Sequence, residues 1–196
     1  MTIRVFLGIG LAPNVRQTLT RCCDAIRAQS IPWRAEKWVP EENLHVTLKF
    51  LGAVPDEALT EIERAVSRSC EQMQEYQLTV DDVSAVPRLR SASMLWATVS
   101  EGTDETTALA AELERRLSAV GYARSERPFK THITLARARK PRAMPFEVLD
   151  DAHRLLYAAD ERDVRMSVRG VTLYSSTLTP LGPVYEELSF VPFPGD

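Results

Sequence analysis

His45-Val46-Thr47-Leu48 and His132-Ile133-Thr134-Leu135 are two versions of one word, set 87 residues apart in a chain of 196. They use two of its three histidines. At average residue usage, two His-aliphatic-Thr-Leu words in a chain of this length have a chance on the order of 10⁻⁴. Strand geometry explains the spacing, because side chains at i and i+2 point to one face. His45 and Thr47 share a face, as do His132 and Thr134. Val46, Leu48, Ile133 and Leu135 point the other way, toward helices. A lone strand histidine is more often a core residue than a catalyst, but packing offers no reason to repeat the same polar pair. The repeat points to two related halves, facing each other about a pseudo-twofold axis, with two imidazoles and two hydroxyls around one concavity.

Working outward, strand and helix signals alternate. Ile3–Gly10 reads as a first strand. Pro13 opens a helix with Val15, Leu19, Cys22 and Ile26 on one face. Lys37–Val39 is a short strand, and Leu44–Leu51 is a longer one closed by Gly52. Leu59, Ile62, Val66, Cys70 and Met73 stripe a second helix. Tyr76–Val86 and Met94–Ser100 are strands joined by a polar loop. Thr103–Val120 is a third helix, with Gly121 placed to end it. Thr131–Ala136 is a strand, Phe146–Ala159 a shorter helix, and Val164–Ser175 and Val184–Val191 are closing strands. The order β-α-β-α-β-β-α-β-α-β-β predicts an α+β fold, one domain over residues 1–196 in which two lobes share one cleft.

Composition excludes several classes. A 44% hydrophobic and 26% charged chain is that of an ordinary globular protein, which sets aside disordered, collagenous and disulfide-scaffold readings. No apolar run approaches the ~20 residues needed to cross a bilayer, so no membrane role is expected. The N-terminal stretch has one preceding charge and no small-x-small cleavage site, so it reads as a strand and not as a secretory leader. Cys22, Cys23 and Cys70 are odd in number, with two adjacent, which suits free thiols in a reducing cytoplasm. The net charge of −3 argues against a surface coated for duplex nucleic acid. Charge is concentrated locally instead. Arg124, Arg127, Lys130, Arg137, Arg139, Lys140 and Arg142 stand against Glu126 alone, around the second histidine.

Two histidines beside one scissile bond suit acid–base phosphoryl chemistry. With an ordinary pKa near 6.5, one can be neutral while the other is protonated close to pH 7. The neutral ring takes a proton from a nucleophile and the charged ring gives one to the leaving oxygen. Thr47 and Thr134 can hydrogen-bond charge developing on a phosphoryl oxygen. The scheme needs no cofactor and no metal. Lys49 and Lys130 share strand parity with the histidines and are candidate phosphate contacts. Arg137 is a further candidate, but its parity is wrong for a flat strand, so a bulge or turn must re-aim it. Phe6, Trp33, Trp38 and Phe129 are candidates for stacking on a base, though each reads more readily as a core residue. His153 lacks a matching partner and reads as a solvated surface histidine.

The two HxTx words resemble those of the 2H phosphoesterase superfamily. The longer strings ENLHVTLKFLG, ending at Gly52, RPFKTHITLAR (127–137) and SSTLTPLGPVYEEL (175–188), with Arg4-Val5-Phe6-Leu7 ahead of them, resemble the bacterial and archaeal RNA 2′,3′-cyclic phosphodiesterases, long called 2′-5′ RNA ligases. One departure is Thr131, where that family usually has proline. The resemblance implies a bilobal fold with an antiparallel sheet in each lobe. It implies hydrolysis of a terminal 2′,3′-cyclic phosphate to a 2′-phosphate, with His45 as proton donor and His132 as acceptor. It also implies a monomer whose partner is RNA bearing a cyclic phosphate end, or a small cyclic nucleotide, and possible reversal as 2′-5′ ligation. The words themselves are too alike to separate donor from acceptor. Three alternatives stay open: a 2H enzyme acting on another cyclic nucleotide or a 2′-5′ linkage, an RNA-end binding protein without turnover, and a metal-binding protein using the two histidines.

Overall fold

The computed structural model describes residues 1–180 and 182–195. Asp196 and Leu181, the latter within the 175–188 string, lie outside the described residues. The strands are β1 (Thr2–Gly10), β2 (Lys37–Trp38), β3 (His45–Pro55), β4 (Tyr76–Val86), β5 (Ala92–Glu101), β6 (His132–Arg142), β7 (Arg165–Val168), β8 (Gly170–Thr179) and β9 (Gly182–Pro192). The helices are α1 (Pro13–Gln29), α2 (Ile31–Arg34), α3 (Leu59–Cys70), α4 (Thr103–Ala119), α5 (Phe146–Tyr157) and α6 (Glu161–Val164).

The helices form where the apolar stripes lie. Val15, Leu19, Cys22 and Ile26 of α1, Ile62 and Val66 of α3, and Leu109, Leu113 and Leu117 of α4 are all buried. Gly121 adopts φ +97 just past α4, and the Tyr122 amide returns to the Leu117 carbonyl at 3.0 Å, closing that helix as its sequence predicts. The three cysteines are free and buried, and burial pushes the Cys22, Cys23 and Cys70 thiols up to about 11, 12 and 11. They are packing residues with no thiolate at neutral pH.

The strands form one antiparallel sheet in the order β7-β4-β5-β6-β3-β1-β8-β9, with β2 added to β6. This order is a palindrome about the β6–β3 contact: β6 matches β3, β5 matches β1, β4 matches β8 and β7 matches β9. The halves expected from the repeated word are therefore the two ends of a single sheet. At the centre of that sheet β3 and β6 pair at one position, Val46 and Ile133, the residue after the histidine in each word. The stretch 164–175, expected as one strand, is two. β7 pairs with β4, whereas β8 pairs with β1 and β9. Only Arg169 separates β7 from β8, so the sheet must curl until its far edges meet. The Phe193 amide seals that closure on the Arg169 carbonyl at 2.7 Å, and Tyr76 stacks on Phe193 at 6.1 Å. A sequence window cannot reveal such a split, because both strands are equally β-rich. Among the described residues, no helix is long and apolar enough to cross a membrane.

Candidate active site

The two central strands carry the same burial sequence over their first six residues: half-buried, buried, half-buried, buried, buried, exposed. The first four follow the alternation of the words. Val46, Leu48, Ile133 and Leu135 go into the core, at 0–6% exposure. The doubled buried step is a β-bulge in each strand. Pairing of β3 with β1 slips at Leu48, between Leu7↔Lys49 and Gly8↔Thr47. Pairing of β6 with β5 slips at Leu135, between Leu95↔Ala136 and Trp96↔Thr134. An extra residue reverses the facing of everything beyond it. Arg137 is thereby returned to the His/Thr face, as the sequence required.

The same reversal overturns the reading of Lys49. It takes the place that Ala136 takes in the other word and points into the core side. There its ammonium donates to Glu114 Oε1 at 2.7 Å and to the Ala123 carbonyl at 2.8 Å, with 2% of the side chain exposed. Burial pulls the Glu114 carboxyl upward, but hydrogen bonds from Lys49 and the Ser125 amide outweigh it and hold it below its usual range. Lys49 is thus a clasp that ties β3 to α4 and to the loop leading to His132. Lys49→Met is expected to lower unfolding free energy by about 2 kcal/mol in a urea titration, below the ~3–5 of a fully buried pair because Glu114 keeps partial access to water. A variant with unchanged stability would show that the clasp contributes nothing.

Phe6 is the second correction. It is 1% exposed, in a strand with neighbours on both sides, and cannot receive a base. Its ring lies 4.9 Å from His45, 5.0 Å from Tyr174 and 4.8 Å from Tyr185, so it is part of the wall that packs His45. Trp33, too, is fully buried. Lys130 is exposed, and its backbone carbonyl is the part that touches the site.

Both imidazoles are held in the same way. His45 Nδ1 lies 2.7 Å from the Asn43 carbonyl, and His132 Nδ1 lies 2.7 Å from the Lys130 carbonyl. A carbonyl only accepts, so each Nδ1 carries a hydrogen and each neutral ring keeps its lone pair on Nε2. Continuing the Val46↔Ile133 register sets His45 opposite Thr134 and Thr47 opposite His132, with all four on one face. Burial is the main force lowering both imidazoles below 6.5, and the Arg137 charge adds to it; His45 is lowered further by His132. Arg137 therefore lies within electrostatic reach of both rings. Its Nη1 contacts Met94 Sδ at 3.0 Å, and the side chain is otherwise exposed.

The topological symmetry is broken chemically. Opposite Thr134 stands Trp96, whose ring stacks on His132 at 3.8 Å. The matching place opposite Thr47 is Gly8, where an added Cβ would sit 2.9 Å from the Val46 carbonyl and 3.3 Å from the His45 ring. His45 is instead packed by Phe6, Tyr174 and Tyr185, and its Nε2 meets the Thr47 hydroxyl at 2.8 Å. The Thr134 hydroxyl has no protein partner among the described residues. Where one word has Arg137, the other has Phe50, 66% exposed and 5.7 Å from Phe6. The His/Thr face has a cationic side and an aromatic side.

Sequence reasoning missed Trp96, Tyr174, Tyr185, Phe50 and Asn43. Tyr174 and Trp96 gave no local signal, since each reaches a histidine only through strand pairing. Phe50 is visible once the repeat is aligned through both bulges. Arg142, by contrast, is spent within the fold: it pairs with the buried Glu36 and donates to the Pro32 carbonyl at 2.7 Å. His153 is half exposed and lies 3.1 Å from Asp82, on α5. It borders a concavity of about 740 Å³ between β4 and α5, which contains neither word. Chemistry, and not size, marks the site.

A palindromic antiparallel sheet with one HxT word on each of its two central strands is the architecture of a 2H phosphoesterase. The family model of the 2′-5′ RNA ligase superfamily matches residues 11–179, and the chain belongs to that superfamily. The RNA 2′,3′-cyclic phosphodiesterase of Thermotoga maritima is 30% identical over 98% of this chain and 97% of its own. The crystal structure of TT0787 of Thermus thermophilus superposes with a TM-score of 0.76, at 27% identity over 97% of this chain and 98% of that one. E. coli LigT complexed with 3′-AMP superposes with a TM-score of 0.74, at 26% identity over 98% and 99% of the two chains.

Proposed function

We propose that this chain is an RNA 2′,3′-cyclic 3′-phosphodiesterase, which opens a terminal 2′,3′-cyclic phosphate to a 2′-phosphate. The observation that carries the proposal is the pair of imidazoles, each anchored through Nδ1 so that Nε2 is the nitrogen left to exchange a proton, on one face with two threonine hydroxyls. Relatives at about this chain's full length bear the name of that activity. His132 takes a proton from water as its oxygen bonds to phosphorus. The P–O3′ bond breaks, and His45 delivers its proton to the departing 3′-oxygen. Thr47, Thr134 and Arg137 face the phosphoryl oxygens, and Lys130 adds positive charge at the rim. Lys49 and Phe6 have no part in binding. With a 5′-hydroxyl attacking in place of water, the same forward steps form a 2′-5′ linkage, and their reverse cleaves it back to the cyclic phosphate. The chain works as a cytoplasmic monomer, one domain whose two lobes share the cleft.

Incubation with an oligonucleotide ending in a 2′,3′-cyclic phosphate tests this. The expected product is a 2′-phosphate, formed equally well in the presence of a chelator. No turnover would favour an end-binding protein. A 3′-phosphate product would mean that the P–O2′ bond is the one cleaved, and would overturn the stated orientation of substrate between the histidines.

A further inference from the structure

Lys37 is a cation at the cleft that the scheme above leaves unused. It lies directly opposite Arg137 in the β2–β6 ladder, while Met94 lies opposite Arg137 on the other side. Opposed residues of antiparallel strands share a face, with Cβ atoms about 4.5–5.5 Å apart. Lys37 therefore starts from the face that carries Arg137 and the His/Thr pairs. It is exposed and makes no ion pair among the described residues. The neighbouring carboxylate, Glu36, is turned away onto Arg142 and the Arg139 amide, the latter at 2.8 Å.

The two-residue strand that presents Lys37 is firmly anchored. The Trp38 indole donates to the Trp33 carbonyl at 2.9 Å, and the Val39 amide to the Leu135 carbonyl at 2.9 Å. β2 fills the gap on β6 where β3 parts from it beyond Val46↔Ile133. In the other half, the loop beside β3 is bound by the Lys49 clasp, and the exposed residue there is Phe50. Arg137 and Lys37 thus extend positive charge past His132 along β6.

Resting on the functional reading above, we propose that Lys37 binds the phosphodiester one nucleotide upstream of the cyclic phosphate, so that the site prefers the end of an RNA chain to a mononucleoside cyclic phosphate. Arginine's planar fork suits the reacting phosphoryl group, whose oxygens must be oriented. Lysine's point charge on a flexible stem suits a phosphodiester that only needs holding. In a chain of net charge −3, one such contact has a measurable share of polyanion affinity.

The test compares a nucleoside 2′,3′-cyclic monophosphate with a tetranucleotide ending in a 2′,3′-cyclic phosphate, using wild type, Lys37→Met and Lys37→Arg. Lys37→Met is expected to raise KM for the tetranucleotide about tenfold with kcat unchanged, and to leave the mononucleotide unaffected. The salt slope of tetranucleotide binding should fall by about 0.7, one single-strand phosphate contact. Lys37→Arg should recover most of the loss. Equal losses on both substrates, or none on either, would overturn the role of Lys37. If wild type turns over neither substrate, the functional reading fails instead. The Kd of a 3′-phosphorylated tetranucleotide for wild type and Lys37→Met then decides the matter: a tenfold rise sustains the contact, and no change removes it.

Discussion

His45→Ala and His132→Ala are each expected to lower turnover of a 2′,3′-cyclic phosphate by at least ~10²-fold, the low end of general acid–base catalysis, and up to ~10⁴-fold. Both side chains lie on the face of the sheet opposite the core residues Val46, Leu48, Ile133 and Leu135, so the melting temperature should change little. The losses should not add in the double variant, because the two rings serve one proton relay. The pH profile carries more information than the rates. Burial and the Arg137 charge depress both imidazoles, so in the free protein both are largely neutral at pH 7. The base must be neutral, and activity rises as pH climbs through its pKa. The acid must be protonated, and activity falls as pH climbs through its pKa. The bell for kcat/KM should therefore peak below pH 6.5, and that for kcat should lie higher, because a bound phosphate anion favours both charged rings. His45→Ala should erase the alkaline limb and His132→Ala the acidic one. The reverse pattern would exchange donor and acceptor. A rate rising without a maximum from pH 5 to 9 would end the two-histidine scheme. His153→Ala, on α5 beside Asp82, should leave the profile as it is.

Thr47→Val and Thr134→Val should each reduce kcat by ~10²- to 10³-fold, the cost of one donor to developing charge. Valine keeps the shape and the strand preference, so the fold is preserved. The structure separates the two residues. Thr134 has a hydroxyl without a protein partner among the described residues, so Thr134→Val should act on kcat alone. Thr47 also meets His45 Nε2 at 2.8 Å, so Thr47→Val should in addition move the limb of the pH profile that belongs to His45. Steady-state rates at several pH values, with the folded fraction measured by circular dichroism, check both. A normal kcat per folded molecule would make the threonines structural.

Much of this was legible in the sequence because it is local. The repeated word located both central strands and assigned their first four side chains to the correct faces. Apolar stripes at helical spacing located α1, α3 and α4, and Gly121 marked the end of the last. The wrong parity of Arg137 even demanded a bulge. What was not legible follows from pairing with distant strands. The bulge that turns Lys49 into the core is the counterpart of the one that returns Arg137 to the His/Thr face. Each bulge shows only in the register with a partner strand, β1 or β5.

The sequence by itself determined that two histidines and two threonines would line strands of two related halves, since a period of two is a property of any extended chain. Only the tertiary structure decided the rest. It joined the halves through Val46 and Ile133, turned Lys49 onto Glu114, closed an aromatic wall over Phe6, laid Trp96 on His132 and set Lys37 beside Arg137. Each of these depends on which strands become neighbours and in what register. That choice is made by the summed burial of the whole core and the curl of the whole sheet, and no window of sequence contains it.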